Sequence, residues 1–222
     1  TFTGYGDIRF RSFRHKHHIA GQSLMLTDSL NRFMNSPDRV AVLKGHWGVG
    51  KTFFWERYIE DKIKENCIHN VAYSYISLFG KSDLNELRRT IFHSAKPLSS
   101  ESEMATHIDD QIANSNQLLS RLPWLRQAKS KIAWINKFTK HVRNVPYLSK
   151  YSGAIESIEY NLINNYLICI DDIERKGTDL SMREVMGLVD ELAIRKNSKV
   201  VLIFNSDSFA SKAGREQYES YR

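Results

Sequence analysis

The 222-residue chain predicts an α/β fold, a parallel sheet sandwiched by helices, and two observations carry that prediction. Three apolar runs, Val40-Ala41-Val42-Leu43, Tyr166-Leu167-Ile168-Cys169-Ile170 and Val200-Val201-Leu202-Ile203-Phe204, are four or five residues long and close on Gly, Asp or Asn. Runs this continuous belong to strands buried on both faces, as in a parallel sheet covered by helices. Helical patterns lie between them, and strands that alternate with helices form a parallel sheet.

The elements follow in order. Residues 1–38 read as a basic arm and a helix, with Arg9, Arg11, Arg14 and Lys16 and no apolar stretch of signal-peptide kind behind them. Residues 39–222 read as the core. Its first strand is Val40–Leu43, and a helix follows over Thr52–Glu65. Val71 to Leu78, ended by Gly80, is a fourth strand candidate, and Ser82 is placed to cap a helix over Leu84–His93. Ser181-Met182-Arg183-Glu184 has capping-box form and opens a helix running to about Lys196.

Between about residues 96 and 150 the rhythm breaks. Pro97, Pro123 and Pro146 punctuate the segment, and Leu118, Leu122, Leu125, Ile132, Ile135, Phe138 and Val142 recur at mostly three- to four-residue steps. That spacing predicts an insertion of short helices with an apolar stripe opposite a basic face.

Composition narrows the classes. With 41% hydrophobic and 11% aromatic residues the chain is too apolar for a disordered protein. No run approaches the roughly 18 apolar residues that span a bilayer. Cys67 and Cys169 are too few for a disulfide framework, and Cys169, inside an apolar run, reads as a small hydrophobe. The expectation is a soluble, cytoplasmic protein; the start at Thr1 reads as a fragment or processed chain. The 32 Lys+Arg against 25 Asp+Glu give a net charge of +7, but unevenly. No acidic residue falls between Asp110 and Glu156, where Arg121, Arg126, Lys129, Lys131, Lys137, Lys140, Arg143 and Lys150 lie. The basic character therefore belongs to one segment and is no sign of a nucleic-acid binder as a whole.

Directly after the first strand comes Gly45-His46-Trp47-Gly48-Val49-Gly50-Lys51-Thr52, a full match to GxxxxGK[ST]. Glycines let a backbone wrap around phosphates with its N–H groups pointing inward. A helix beginning near Gly50 aims its positive dipole end at the same anion. Lys51 is placed to reach β- and γ-phosphates and the Thr52 hydroxyl to take a Mg²⁺ position. The strand before the loop and the helix after it make this a nucleotide site.

Leu167-Ile168-Cys169-Ile170-Asp171-Asp172 has the form of a Walker B strand. It sets Asp171 at the C-terminal edge of the sheet beside a Mg²⁺, and Asp172 on the following turn, where a carboxylate orients or deprotonates water. The plainer reading of this pair is a cap or turn, which Asp favours. Asn205 ends the last strand, where an amide either bridges γ-phosphate and water or simply suits the turn. Arg175, Lys176 and Arg215 are candidate charge stabilisers. No NKxD guanine signature occurs, which favours ATP.

GHWGVGKT with Trp47 inside the loop, SYISLFG after the following helix, and LICIDDIER resemble the KAP family of P-loop NTPases, relatives of the AAA+ and STAND ATPases. The resemblance covers Val40–Leu78 and Tyr166 to about Tyr221. It implies a P-loop NTPase of the additional-strand type, with strands ordered 71–78, 166–170, 200–204, 40–43 across the sheet and a helical insertion between Walker A and Walker B. It also implies that Lys51 and Thr52 bind phosphate and Mg²⁺, that Asp171 holds Mg²⁺, that Asp172 activates water and that Asn205 is sensor 1. A role in bacterial defence against phages is implied in the same way. KAP proteins commonly carry membrane-spanning helices between Walker A and Walker B; nothing here is apolar enough.

The basic segment admits three readings: a solvated helical face, a nucleic-acid contact through 118–150 with Trp124, Trp134 and Tyr147 for stacking, or a basic amphipathic helix on a membrane or partner. His15-Lys16-His17-His18 lacks a nearby Cys, Asp or Glu to complete a metal site and reads as a basic arm. The function expected is Mg²⁺-dependent ATP hydrolysis in a homo-oligomer with an effector subunit. The alternative is a nucleotide-gated module binding nucleic acid or a partner with little hydrolysis.

Overall fold

Among the described residues, six strands form one sheet in the order β1-β2-β6-β5-β3-β4. They are β1 (Tyr5–Arg9), β2 (Val40–Gly45), β3 (Ala72–Ser77), β4 (Lys96–Pro97), β5 (Tyr166–Asp171) and β6 (Lys199–Asn205). The helices are α1 (Ile19–Asn35), α2 (Lys51–Lys64), α3 (Leu84–His93) and α4 (Met182–Asp190), the last continuing as a wider π turn over Glu191–Arg195. The computed structural model describes residues 5–9, 19–98 and 159–205.

All strand pairs are parallel except the short β3–β4 pair. The four strands anticipated from apolar runs are β2, β6, β5 and β3, side by side in the order the family resemblance implied. β5 and β6 are buried at every position, because helices cover both of their faces. Their side chains alternate between two cores. One holds Ala41, Leu43, Cys169, Val201 and Ile203 under Leu30 and Phe33 of α1 and Trp55 and Ile59 of α2. The other holds Val42, Ile168, Ile170 and Leu202 under Leu87 and Ile91 of α3 and Val185 and Leu188 of α4. Cys169 is a fully buried thiol among them.

Three local expectations are corrected. The cap of α3 is Asp83, whose carboxylate accepts from the N–H groups of Asn85 and Glu86 at 3.2 and 3.1 Å, and not Ser82. Lys96 and Pro97, placed at the start of the helical insertion, are instead an edge strand, where a proline's missing N–H costs no ladder bond. Tyr5–Arg9, read as part of an arm, is a strand beside β2. The rest of the expected insertion, the basic segment, the histidine cluster and Arg215 lie outside the described residues.

Candidate functional site

The sheet presents the C-terminal ends of β2, β5, β6 and β3 at one edge, and the site is built there. β2 delivers Gly45, and six residues later α2 begins at Lys51. Gly48 and Gly50 sit at φ +75° and +83°, left-handed backbone that a side chain disfavours. Gly50 is the residue that caps α2, whose first turn carries no acidic side chain, so the positive end of the helix faces the loop uncompensated. Lys51 Nζ donates to the carbonyls of Gly45 and His46 at 3.0 and 2.9 Å.

β5 delivers Asp171, which is buried. Its Oδ2 accepts from Thr52 Oγ1 at 2.6 Å and from Tyr75 Oη at 2.9 Å, and its Oδ1 accepts from the Asp172 N–H at 2.7 Å. These bonds answer the cost of taking a carboxylate from water. Burial, then the Asp171 charge, pushes the Tyr75 phenol well above its ordinary pKa, so it remains the donor.

Asp172 turns the chain in the left-handed region, φ 55° and ψ 36°, and a 3₁₀ turn over Ile173–Arg175 follows. Its Oδ2 accepts from Ser77 Oγ at 2.6 Å, and its Oδ1 lies 3.6 Å from Arg175 Nη1. Ser77 Oγ in turn accepts from the Phe79 N–H at 3.1 Å, which ties the carboxylate to the end of β3. Arg175 lies over the rings of Phe79 and Trp47, its guanidinium carbon 4.0 and 5.4 Å from their centroids.

These groups surround a cavity of about 350 Å³. Of the anticipated residues, Trp47, Gly48, Gly50, Lys51, Thr52, Asp171 and Asp172 line it. Gly45, His46, Val49 and Asn205 are not among the lining residues. Val49 packs against the α1–α2 core, and buried Asn205 stands in register with Gly45 at the root of the loop. Sequence reasoning missed Phe53, Glu174 and Phe204, which also line the cavity. Glu174 Oε2 is buried without a hydrogen-bond partner, an acceptor that no sequence signal beyond its place after the paired Asp marked out. Of the candidate charge stabilisers, Arg175 lines the cavity, whereas Lys176 donates to the Leu180 carbonyl.

The chain matches the KAP family P-loop domain across residues 20–221. It belongs to that family. No curated protein and no solved structure matches it. Membership makes this KAP domain a nucleotide-binding P-loop domain, and the four strands that carry the site lie inside the matched stretch, with β1 ahead of it. Among the described residues of the KAP domain, no helix is long and apolar enough to cross a membrane.

Proposed function

We propose that this KAP domain binds Mg²⁺–ATP and hydrolyses it, as the motor or switch of a larger assembly. The observation that carries the reading is the 2.6 Å bond from Thr52 Oγ1 to Asp171 Oδ2, which joins the two motifs in the cavity that Lys51 and Asp172 also line. A triphosphate there competes with the Gly45 and His46 carbonyls for Lys51 Nζ, while the loop N–H groups and the α2 dipole meet its other oxygens. Thr52 and Asp171 are adjacent hard oxygen donors of the kind Mg²⁺ takes alongside phosphates and water, so the residues fit that ion. Held by Thr52 and Asp171, Mg²⁺ would supply neutralisation of the charge that develops on the phosphates. Asp172 holds the attacking water in line with the γ-phosphate and takes its proton. Asn205, buried at the tip of β6 in register with Gly45, is assigned the sensor 1 role at the γ-phosphate.

The position of β6 between β2 and β5 supports placing the domain in the additional-strand class. Completion of the charge clamp by an arginine from a second copy makes a homo-oligomer part of the reading. An effector subunit and a part in antiphage defence rest on family likeness alone. A second reading, a nucleotide-gated switch with little turnover, is favoured by one observation: both Asp172 carboxylate oxygens already face partners, Ser77 and Arg175.

Phosphate release from Mg²⁺–ATP by wild type and Asp172→Asn separates the two. Hydrolysis predicts turnover in wild type that falls by about a hundredfold or more in the variant, with ATP binding kept. Binding without turnover in either protein leaves the switch.

A further inference from the structure

Arg175 occupies an unusual place for a surface arginine. Its guanidinium lies over two rings that are themselves largely exposed, Phe79 at 59% and Trp47 at 60% relative exposure, one after β3 and the other inside the phosphate loop. A cation held over two rings is positioned by them, and no hydrogen bond among the described residues takes up its N–H donors. Its ionic partner, Asp172, stands at 3.6 Å, beyond hydrogen-bond reach, and the arginine side chain is 40% exposed, so this pair holds it weakly. The residue lines the same cavity as Lys51 and Thr52.

We propose that Arg175 is the residue that reads the γ-phosphate, a stacked guanidinium whose free edge binds a nucleoside triphosphate and not a diphosphate. This rests on the nucleotide reading above. The end of the nucleotide is set by the counter-ion. Asp172 handles the water that attacks in line, so the cation beside it stands at the γ end. The planar fork matches phosphate oxygens in bidentate fashion, which the loose pair with Asp172 does not.

The test is equilibrium binding, with Mg²⁺, of ADP and of a non-hydrolysable ATP analogue to the full chain, its R175Q variant and its F79L variant. R175Q is expected to weaken the analogue by about tenfold or more while ADP stays within about twofold. F79L keeps the charge but removes one wall of the stack, and it is expected to lose a smaller part of the same preference; it decides the matter where R175Q does not fold. Equal weakening of both nucleotides by either variant overturns the proposal in favour of a structural role, and no change in either marks a merely solvated arginine. Wild type that binds neither nucleotide overturns the nucleotide reading itself.

Discussion

Gly50 shows what a single backbone angle contributes. A Cβ placed there meets nothing within 4 Å, so a substitution is penalised by the φ of +83° alone. Gly50→Ala is expected to lower unfolding stability by about 1–2 kcal/mol in a denaturant titration. It should also weaken ATP binding by more than tenfold, because relaxing φ swings the N–H groups of the loop off their target. Asp172 is the opposite case, a side chain held in the left-handed region at φ 55°. Asn tolerates that region as well as Asp does. Asp172→Asn therefore tests the carboxylate's charge with the turn preserved, and its melting temperature should stay close to wild type while phosphate release collapses.

Helix α4 opens on a complete capping box. Ser181 Oγ accepts from the Glu184 N–H at 3.2 Å, and the Glu184 carboxylate accepts from the Ser181 N–H at 2.8 Å. Ser181→Ala should cost about 1 kcal/mol in denaturant titration, with nucleotide affinity unchanged, since the cap lies outside the cavity. This box was legible because its residue types and spacing are specific. The α3 cap was not, since Ser82 and Asp83 are both cap-forming and only the folded turn decides between them. Strands divide by the same logic. β2, β5 and β6 announced themselves because burial on both faces demands unbroken apolar runs. β1 and β4 stand at the edges, where pairing makes the strand and composition demands little, so Tyr-Gly-Asp-Ile-Arg gave no signal. In the site, the loop and the paired Asp were legible as motifs. Tyr75, Ser77 and Phe79 gather around Asp171, Asp172 and Arg175 only because β3 lies beside β5 in space, and Trp47 meets Arg175 from the loop after β2.

The whole molecule is held partly by a buried amine that its sequence hid. Lys199, the first residue of β6, is buried, and its Nζ donates to the carbonyls of Phe33, Ser36 and Asp38 at 2.9, 2.9 and 2.7 Å. It fastens the end of α1 to the central strand. Burial, then Arg39, lowers its pKa from 10.5 to about 8. Between those values the unfolded chain binds a proton that the folded chain has released, so this group's contribution to stability rises with pH across that window. Lys199→Met removes the titration and leaves three carbonyls to find other donors. The variant should be less stable by about 2 kcal/mol or more at pH 7. The gap to wild type should widen as urea unfolding is repeated from about pH 8 towards 10. The order of the sheet has a consequence for synthesis. β6 lies between β2 and β5, yet it follows both in the chain, and Val40 pairs with Val200. On a ribosome, β2 waits on the order of ten seconds for its neighbour at ordinary elongation rates. Until then the nascent chain holds two half-sheets, each offering an apolar open edge that invites pairing with other chains. A chain stopped at Ser198 should accordingly aggregate or be cut rapidly by protease. Of the described strands, the last to be made is the one that closes the middle of the sheet.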